Sequence, residues 1–169
     1  MTAHGDPTLD RLFRQEVWVL RKLFAFLRSV PEDVLAMTAP NTGWDVSVLL
    51  THIVSASMSY AARVDGRPEP HLEPPDTHAD LTAMEVEAIA AAERLRELAA
   101  EGSDAEVVEV DGERTWRYPR SLILAQSIYH AIEHRAQLFG VLTANGVAGL
   151  TLDDLDHWTY GGDEGVLSS

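Results

Sequence analysis

The sequence predicts an all-α fold, a four-helix bundle with a small β-hairpin between its third and fourth helices. Four segments of about 16 to 26 residues carry apolar residues at helical spacing, with Pro or Gly near their boundaries. Before the fourth segment, β-branched residues precede the dipeptide Asp111-Gly112, and Thr115, Trp116 and Tyr118 follow it. This pattern is typical of a hairpin with a two-residue turn. Bundles of four such helices build their ligand and metal sites in the core.

The first two helices are predicted from apolar spacing and from capping residues. Apolar residues recur at helical spacing from Thr8 to about Ser29, and a proline soon ends that run. The second helix is expected to begin near Asp45, because a short acidic side chain accepts hydrogen bonds from the free N–H groups of a first turn. The preceding Trp44 is expected to pack on Leu49 as a hydrophobic staple.

The second half of the chain alternates loops with two more helices. Residues 65–80 contain four of the eight prolines, which excludes a regular helix there and predicts a long ordered loop with the length of a crossover. The third helix is predicted from about Ala79 to Glu101. Pro119 can occupy the first turn of the fourth helix, which continues to Ala144. Residues 151–160 are expected to form a final helical turn.

Composition limits the classes of function that the chain can have. With 169 residues, 46% of them hydrophobic, the chain can bury one core, and we expect residues 1–169 to form a single domain. Its net charge of −14 repels phosphate backbones and anionic bilayers, so we expect neither nucleic acid nor a membrane as partner. The N-terminus does not have the pattern of a signal peptide, and no segment of membrane-spanning length lacks charges. A soluble cytoplasmic protein is predicted.

The chain contains no cysteine, which restricts its chemistry. Disulfides, thiolate nucleophiles and Cys-bound zinc are excluded, so any metal must be bound by imidazoles and carboxylates. The histidines are therefore the first candidates for metal ligands.

Three histidines lie where they could share one metal ion. His130 and His134 are four residues apart on the fourth helix, which places their Cβ atoms about 6 Å apart on one face. His52 lies on the inward apolar stripe of the second helix. Three neutral imidazoles leave coordination positions open, as in catalytic metal sites. The alternative is that each is a separate core histidine whose hydrogen bonds are satisfied.

Two stretches of the chain resemble the DinB/YfiT-like superfamily. In "GWDVSVLLTHIVSASMSY" a Trp precedes helix two and one His lies within it, and "SIYHAIEHRAQLFGVLTANG" places an H-x-x-x-H-R-x-Q motif on the last long helix. The resemblance implies that His52, His130 and His134 bind one divalent metal, usually zinc or nickel, in a bundle that commonly forms homodimers. The chain departs from the usual pattern at Ala136, where many relatives have glycine at a helix contact.

The resemblance also implies a class of activity. The superfamily's characterised members include enzymes that use the metal to activate a low-molecular-weight thiol, such as mycothiol or bacillithiol, for transfer to a small-molecule substrate or for isomerisation. Because this chain has no cysteine, the sulfur would have to come from outside. Two alternatives are open: a metal-dependent hydrolase, for which Glu133 is a poor general base because it lies about 100° around the helix from His134, and a non-catalytic, stress-related metal-binding protein.

Three arginines near the hairpin are candidates for binding a substrate or cofactor. Arg114, Arg117 and Arg120 cluster between the hairpin and helix four and could hold a carboxylate bidentately. The alternative is a solvated edge where they pair with neighbouring acids. Arg135 is expected to form a structural or dimer-interface ion pair. The other four histidines, which are expected in termini or loops and need no role, are His4, His71, His78 and His157.

Overall fold

The computed structural model describes residues 6–40, 42–102 and 105–167 and confirms the predicted helical bundle with its hairpin. The helices are α1 (Pro7–Ser29), α2 (Val46–Asp65), α3 (His78–Ala100), α4 (Arg120–Ala144) and α5 (His157–Asp163), and the antiparallel strands are β1 (Glu106–Asp111) and β2 (Arg114–Pro119). Two short 3₁₀ helices are Glu32–Ala36 and Asp153–Leu155. The predicted final turn at 151–160 therefore contains one 3₁₀ turn and the start of α5.

The helix starts follow the capping residues of the sequence. Asp45 accepts a hydrogen bond from the N–H of Val48, which confirms it as the N-cap of α2. Thr77 and Asp80 form a reciprocal capping box at the start of α3. Pro119 differs from the prediction: it precedes α4 as an extended N-cap instead of joining the first turn. The reason is that it still pairs with Glu106 across the hairpin.

Ion pairs between the helices show their order and direction in the bundle. α1 packs on α3, α3 on α2, and α2 on α4. Asp10 and Arg96 pair from opposite ends of α1 and α3, so these helices are antiparallel. Asp65, the last residue of α2, pairs with Arg94 near the end of α3, so α2 and α3 are parallel. The loop 66–77 must therefore run back along the bundle, as the predicted crossover requires.

The core is formed by the inward stripes of the four long helices. Its main cluster includes fully buried residues from every one of them, such as Leu23, Leu50, Leu81 and Leu138. A second cluster, around Phe13, also contains residues of all four long helices, including Ala61 of α2. Within the described ranges, no helix is long and apolar enough to span a bilayer.

Asp65 joins the ends of α2 and α3, and we predict that Asp65→Asn lowers the free energy of unfolding by about 1 kcal/mol at neutral pH. Arg94 donates two hydrogen bonds to this carboxylate, at 2.7 and 3.1 Å, and the guanidinium holds the pKa of Asp65 below its usual value. A carboxylate with a lowered native pKa stabilises the fold above its unfolded pKa, and that stabilisation is lost as the pH falls through the native value.

Urea unfolding of both proteins measures this effect. The difference in the free energy of unfolding between wild type and Asp65→Asn should be largest at pH 6 to 8 and should shrink below a pH of about 4. Glu113→Gln, at an exposed position in the hairpin turn, is the control and should change little. A difference that grew on acidification would contradict the prediction.

Candidate metal centre

The three predicted histidines converge between α2 and α4. Their ring centroids are 4.8 Å apart for His52 and His130, 4.4 Å for His52 and His134, and 4.3 Å for His130 and His134. Each offers one ring nitrogen, and the three nitrogens lie within 4.8 Å of one another. In the described part of the chain, no other set of three or more His, Asp or Glu side chains brings its ligand atoms this close. The triad could hold a divalent metal ion.

The surroundings keep the imidazoles of His52 and His130 neutral. Burial lowers the pKa of His52, and the nearby His134 lowers it further. Burial, followed by the charges of His134 and His52, lowers the pKa of His130 to about 4. A neutral imidazole has a free lone pair on one nitrogen, which is the form that binds metals. His52 and His130 are therefore in the metal-binding form at neutral pH, because burial and nearby positive charge both disfavour their protonation.

Gln137 orients one of the three rings. Its Oε1 lies 2.9 Å from Nδ1 of His134 and can only accept a hydrogen bond, so Nδ1 carries the proton. The other ring nitrogen, Nε2, is then the one with a free lone pair. Metal-binding histidines usually have such an outer partner, which sets the tautomer and the direction of the ring.

Two aromatic side chains flank the triad. The Trp44 ring lies 4.9 Å from that of His52 and 6.0 Å from that of His134, and it is 39% exposed. The Tyr60 ring meets that of His130 edge to face at 5.9 Å. Both rings limit the space around the imidazoles and leave a partly open site. The staple between Trp44 and Leu49 stays a prediction.

A buried ion pair follows His134 along α4. The two terminal nitrogens of the Arg135 guanidinium, Nη1 and Nη2, donate to the Glu16 carboxylate at 2.9 and 3.0 Å, and both side chains are buried. Arg135 thus has the structural role that the sequence predicts for it. Because Glu16 belongs to α1, the pair ties α1 to the helix that carries two of the three histidines.

The remaining histidines do not join the triad. His71 pairs with Glu73 in the proline-rich loop, His78 hydrogen-bonds the backbone oxygen of Val30, and His157 begins α5. His4 lies outside the described residues. Glu133 is exposed, as expected for a residue that lies about 100° around the helix from His134.

The three arginines near the hairpin do not share one face. Arg114 and Arg117 are three residues apart on β2, so they lie on opposite faces of the hairpin. Arg117 pairs with Glu106, and Arg120 pairs with Glu101 at the end of α3. The Arg117 pair is exposed on both sides and matches the alternative of a charged, solvated edge, whereas the side chain of Arg120 is only 14% exposed. A role for these arginines in binding a substrate or cofactor stays a prediction.

Gln137 and Trp44 are parts of the site that the sequence patterns left without a metal-related role. The spacing could have indicated Gln137, because a residue three positions after His134 lies on the same helical face. The position of Trp44 over the rings depends on how the start of α2 sits against α4, which no local pattern encodes.

Comparison with known proteins agrees with this architecture. A family model described as "DinB family" matches residues 1–164. No match was found among curated proteins. The chain is similar to the crystal structure of a DinB family member from Shewanella denitrificans, at 15% identity, with 88% of each chain covered and a TM-score of 0.58. At this identity the likeness shows the shared fold.

Proposed function

The chain belongs to the DinB family, and from that premise we propose that it binds one divalent metal ion, zinc or nickel, through His52, His130 and His134, and uses it to activate an external thiol. The observation that carries the proposal is the convergence of three ring nitrogens from two helices within 4.8 Å.

The donor set fits such an ion. Neutral imidazoles bind zinc and nickel well, and three of them leave the positive charge of the ion uncompensated and coordination positions open. The lowered pKa values of His52 and His130 keep protons from competing at neutral pH. Gln137 holds the His134 ring with Nδ1 protonated, so that the lone pair of Nε2 is free to bind the ion.

The bound cation would lower the pKa of a coordinating thiol and keep it as a thiolate at neutral pH. The protein supplies the surroundings. Trp44 shields one side of the imidazoles from water, and Tyr60 lies beside His130, where its side chain can contact an entering molecule. Since the chain has no cysteine, the sulfur would come from an external thiol, and the family resemblance implies one of the mycothiol or bacillithiol type.

Hydrolysis is the less favoured alternative. Attack by metal-activated water usually needs a nearby general base. Among the described residues, no Asp or Glu belongs to the cluster of His52, His130 and His134. Glu133, which precedes His134 in the sequence, is exposed. A thiolate needs no such base at the moment of attack, so the surroundings of the triad favour thiol chemistry over hydrolysis.

A cobalt-substituted protein made without a histidine tag tests the proposal. We expect mycothiol or bacillithiol to shift the visible absorption of the cobalt protein and to produce a sulfur-to-metal charge-transfer band. The oxygen analogue of the same thiol is the matched control and should leave that band absent. If no thiol changes the cobalt spectrum and the protein hydrolyses model esters without thiol, the hydrolase is favoured instead.

A further inference from the structure

A polar cavity lies between the end of α2, the loop that follows it and the β-hairpin. Its volume is about 200 Å³. The side chains that line it include Ser59, Arg63 and Arg67 on one side and Glu69 and Glu109 on the other. Four of these five side chains are charged, so the cavity suits a polar or charged part of a ligand.

Arg63 has hydrogen-bond donors that the protein does not use. Among the described residues it makes no hydrogen bond, and its partner is the carboxylate of Glu109, 3.4 Å from Nη2. Glu109 instead accepts a hydrogen bond from the hydroxyl of Tyr118, and this bond raises the pKa of Tyr118. The side chain of Arg63 is 35% exposed. Because a guanidinium presents its N–H groups as a planar fork, Arg63 can bind a carboxylate through two parallel hydrogen bonds.

Arg67 adds a second cation to the cavity. Its Nε and Nη2 donate to Asp65, which also accepts two hydrogen bonds from Arg94. Nη1 of Arg67 makes no hydrogen bond within the described ranges. On the acidic side, Glu69 accepts a hydrogen bond from the hydroxyl of Ser59. The unused hydrogen-bonding groups of the cavity are therefore mainly arginine N–H donors, which require an acceptor from a ligand.

A carboxylate fits the charges of the cavity better than a phosphate does. Arg63 and Arg67 carry two positive charges, and Glu69 and Glu109 carry two negative charges. A dianion would be repelled by both acids, whereas a carboxylate brings a single charge and the planar shape that matches a guanidinium. The net charge of −14 repels anions at longer range, so an acid binds here only through close contact with the arginines.

The cavity and the metal centre lie on one face of α2. Ser59 and Arg63 follow His52 by seven and eleven residues, so all three point in the same direction to within about 20°. At 1.5 Å per residue they lie roughly 10 and 16 Å beyond His52 along the helix axis. Between them on this face are Ser55 and Ala56, which are small and partly exposed. An extended molecule can therefore reach from the triad to the cavity.

We propose that this cavity binds a carboxylate at the far end of the thiol whose sulfur binds the metal, with Arg63 as the main contact. The inference rests on the proposed function and defines its substrate class, a thiol with an acid group roughly 10–16 Å from the sulfur. The metal fixes the position of the sulfur, so the far end of the thiol falls at a set distance along α2. Arg63 acts on specificity and does not touch the reacting atoms.

Two synthetic thiols that differ in one group test the proposal. They are the acetylated tetrapeptide Cys-Gly-Gly-Gly with a carboxylate at its C-terminus and the same peptide with a C-terminal amide. When extended, this peptide places its terminal group roughly 10–13 Å from the sulfur. Binding to the cobalt-substituted protein is measured from the sulfur-to-metal band. We expect the wild type to bind the acid at least about 10-fold more tightly than the amide, because the acid gains charge-assisted hydrogen bonds.

Arg63→Ala should bind the two peptides equally and should keep its metal, since Arg63 is eleven residues from His52. Arg21→Ala, at an exposed arginine of α1, is the matched control and should keep the preference for the acid. Glu109→Gln removes the acid that competes for Arg63, so it should bind the acidic peptide more tightly than the wild type does. This opposite effect does not depend on the stability of Arg63→Ala.

The outcomes separate this inference from the proposed function. A band of equal strength with both peptides in the wild type would leave metal-bound thiol chemistry intact and overturn the carboxylate site. A band that neither peptide nor any other thiol produces would overturn both. Acetate should compete with the acidic peptide more strongly than inorganic phosphate does, and stronger competition by phosphate would contradict the assignment to a carboxylate.

Discussion

Glu16→Ala is expected to lower the free energy of unfolding by about 3–5 kcal/mol, the largest effect that we predict for a single side chain outside the apolar core. The Glu16 carboxylate accepts hydrogen bonds from both terminal nitrogens of the Arg135 guanidinium, and the side chains are 8% and 7% exposed. Removal of the acid leaves a buried guanidinium without its partner. Chemical denaturation with circular dichroism at constant metal concentration measures the loss.

Two further variants separate the pair from its surroundings. Glu106→Ala removes the partner of Arg117 in an exposed ion pair and should cost less than about 1 kcal/mol. The double variant Glu16→Leu with Arg135→Met replaces the pair by apolar side chains and should recover most of the stability. A loss for Glu16→Ala as small as that for Glu106→Ala would mean that Arg135 reaches water or another acceptor.

His130→Ala is expected to weaken the binding of zinc or cobalt by at least about 100-fold, because it removes one of three nitrogen ligands. Gln137→Ala keeps all three rings and removes the acceptor that orients His134, so a smaller loss of about 10-fold is expected. His71→Ala is the matched control, since His71 is an exposed histidine paired with Glu73 outside the triad.

Competition with a chelator of known affinity measures these constants. Trp44 gives a second readout, because its ring is 4.9 Å from that of His52 and a paramagnetic ion in the triad should quench its emission. The melting temperature should rise with metal in the wild type and in His71→Ala, and should stay constant in His130→Ala. Equal metal affinity of His130→Ala and His71→Ala would remove the basis of the proposed function.

Much of the fold follows from local patterns in the sequence. The positions of the long helices are confirmed to within a few residues, because helical periodicity and N-caps such as Asp45 act over one or two turns. Pro119 is the exception: its pairing across the hairpin overrides the tendency of proline to occupy a first turn. The pairing of His130 with His134 is likewise a local property of one helix.

The sequence by itself determined the helices, the hairpin and the three histidines that could share an ion. Only the tertiary structure decided that His52 meets the α4 pair, that Trp44 lies beside the rings of His52 and His134, and that Glu16 pairs with Arg135. The physical reason is the sequence separation over which each kind of interaction acts. Helical hydrogen bonds join residues four apart, whereas the rotation and axial position of one helix against another depend on side chains that are distant in the chain and pack together only in the folded core.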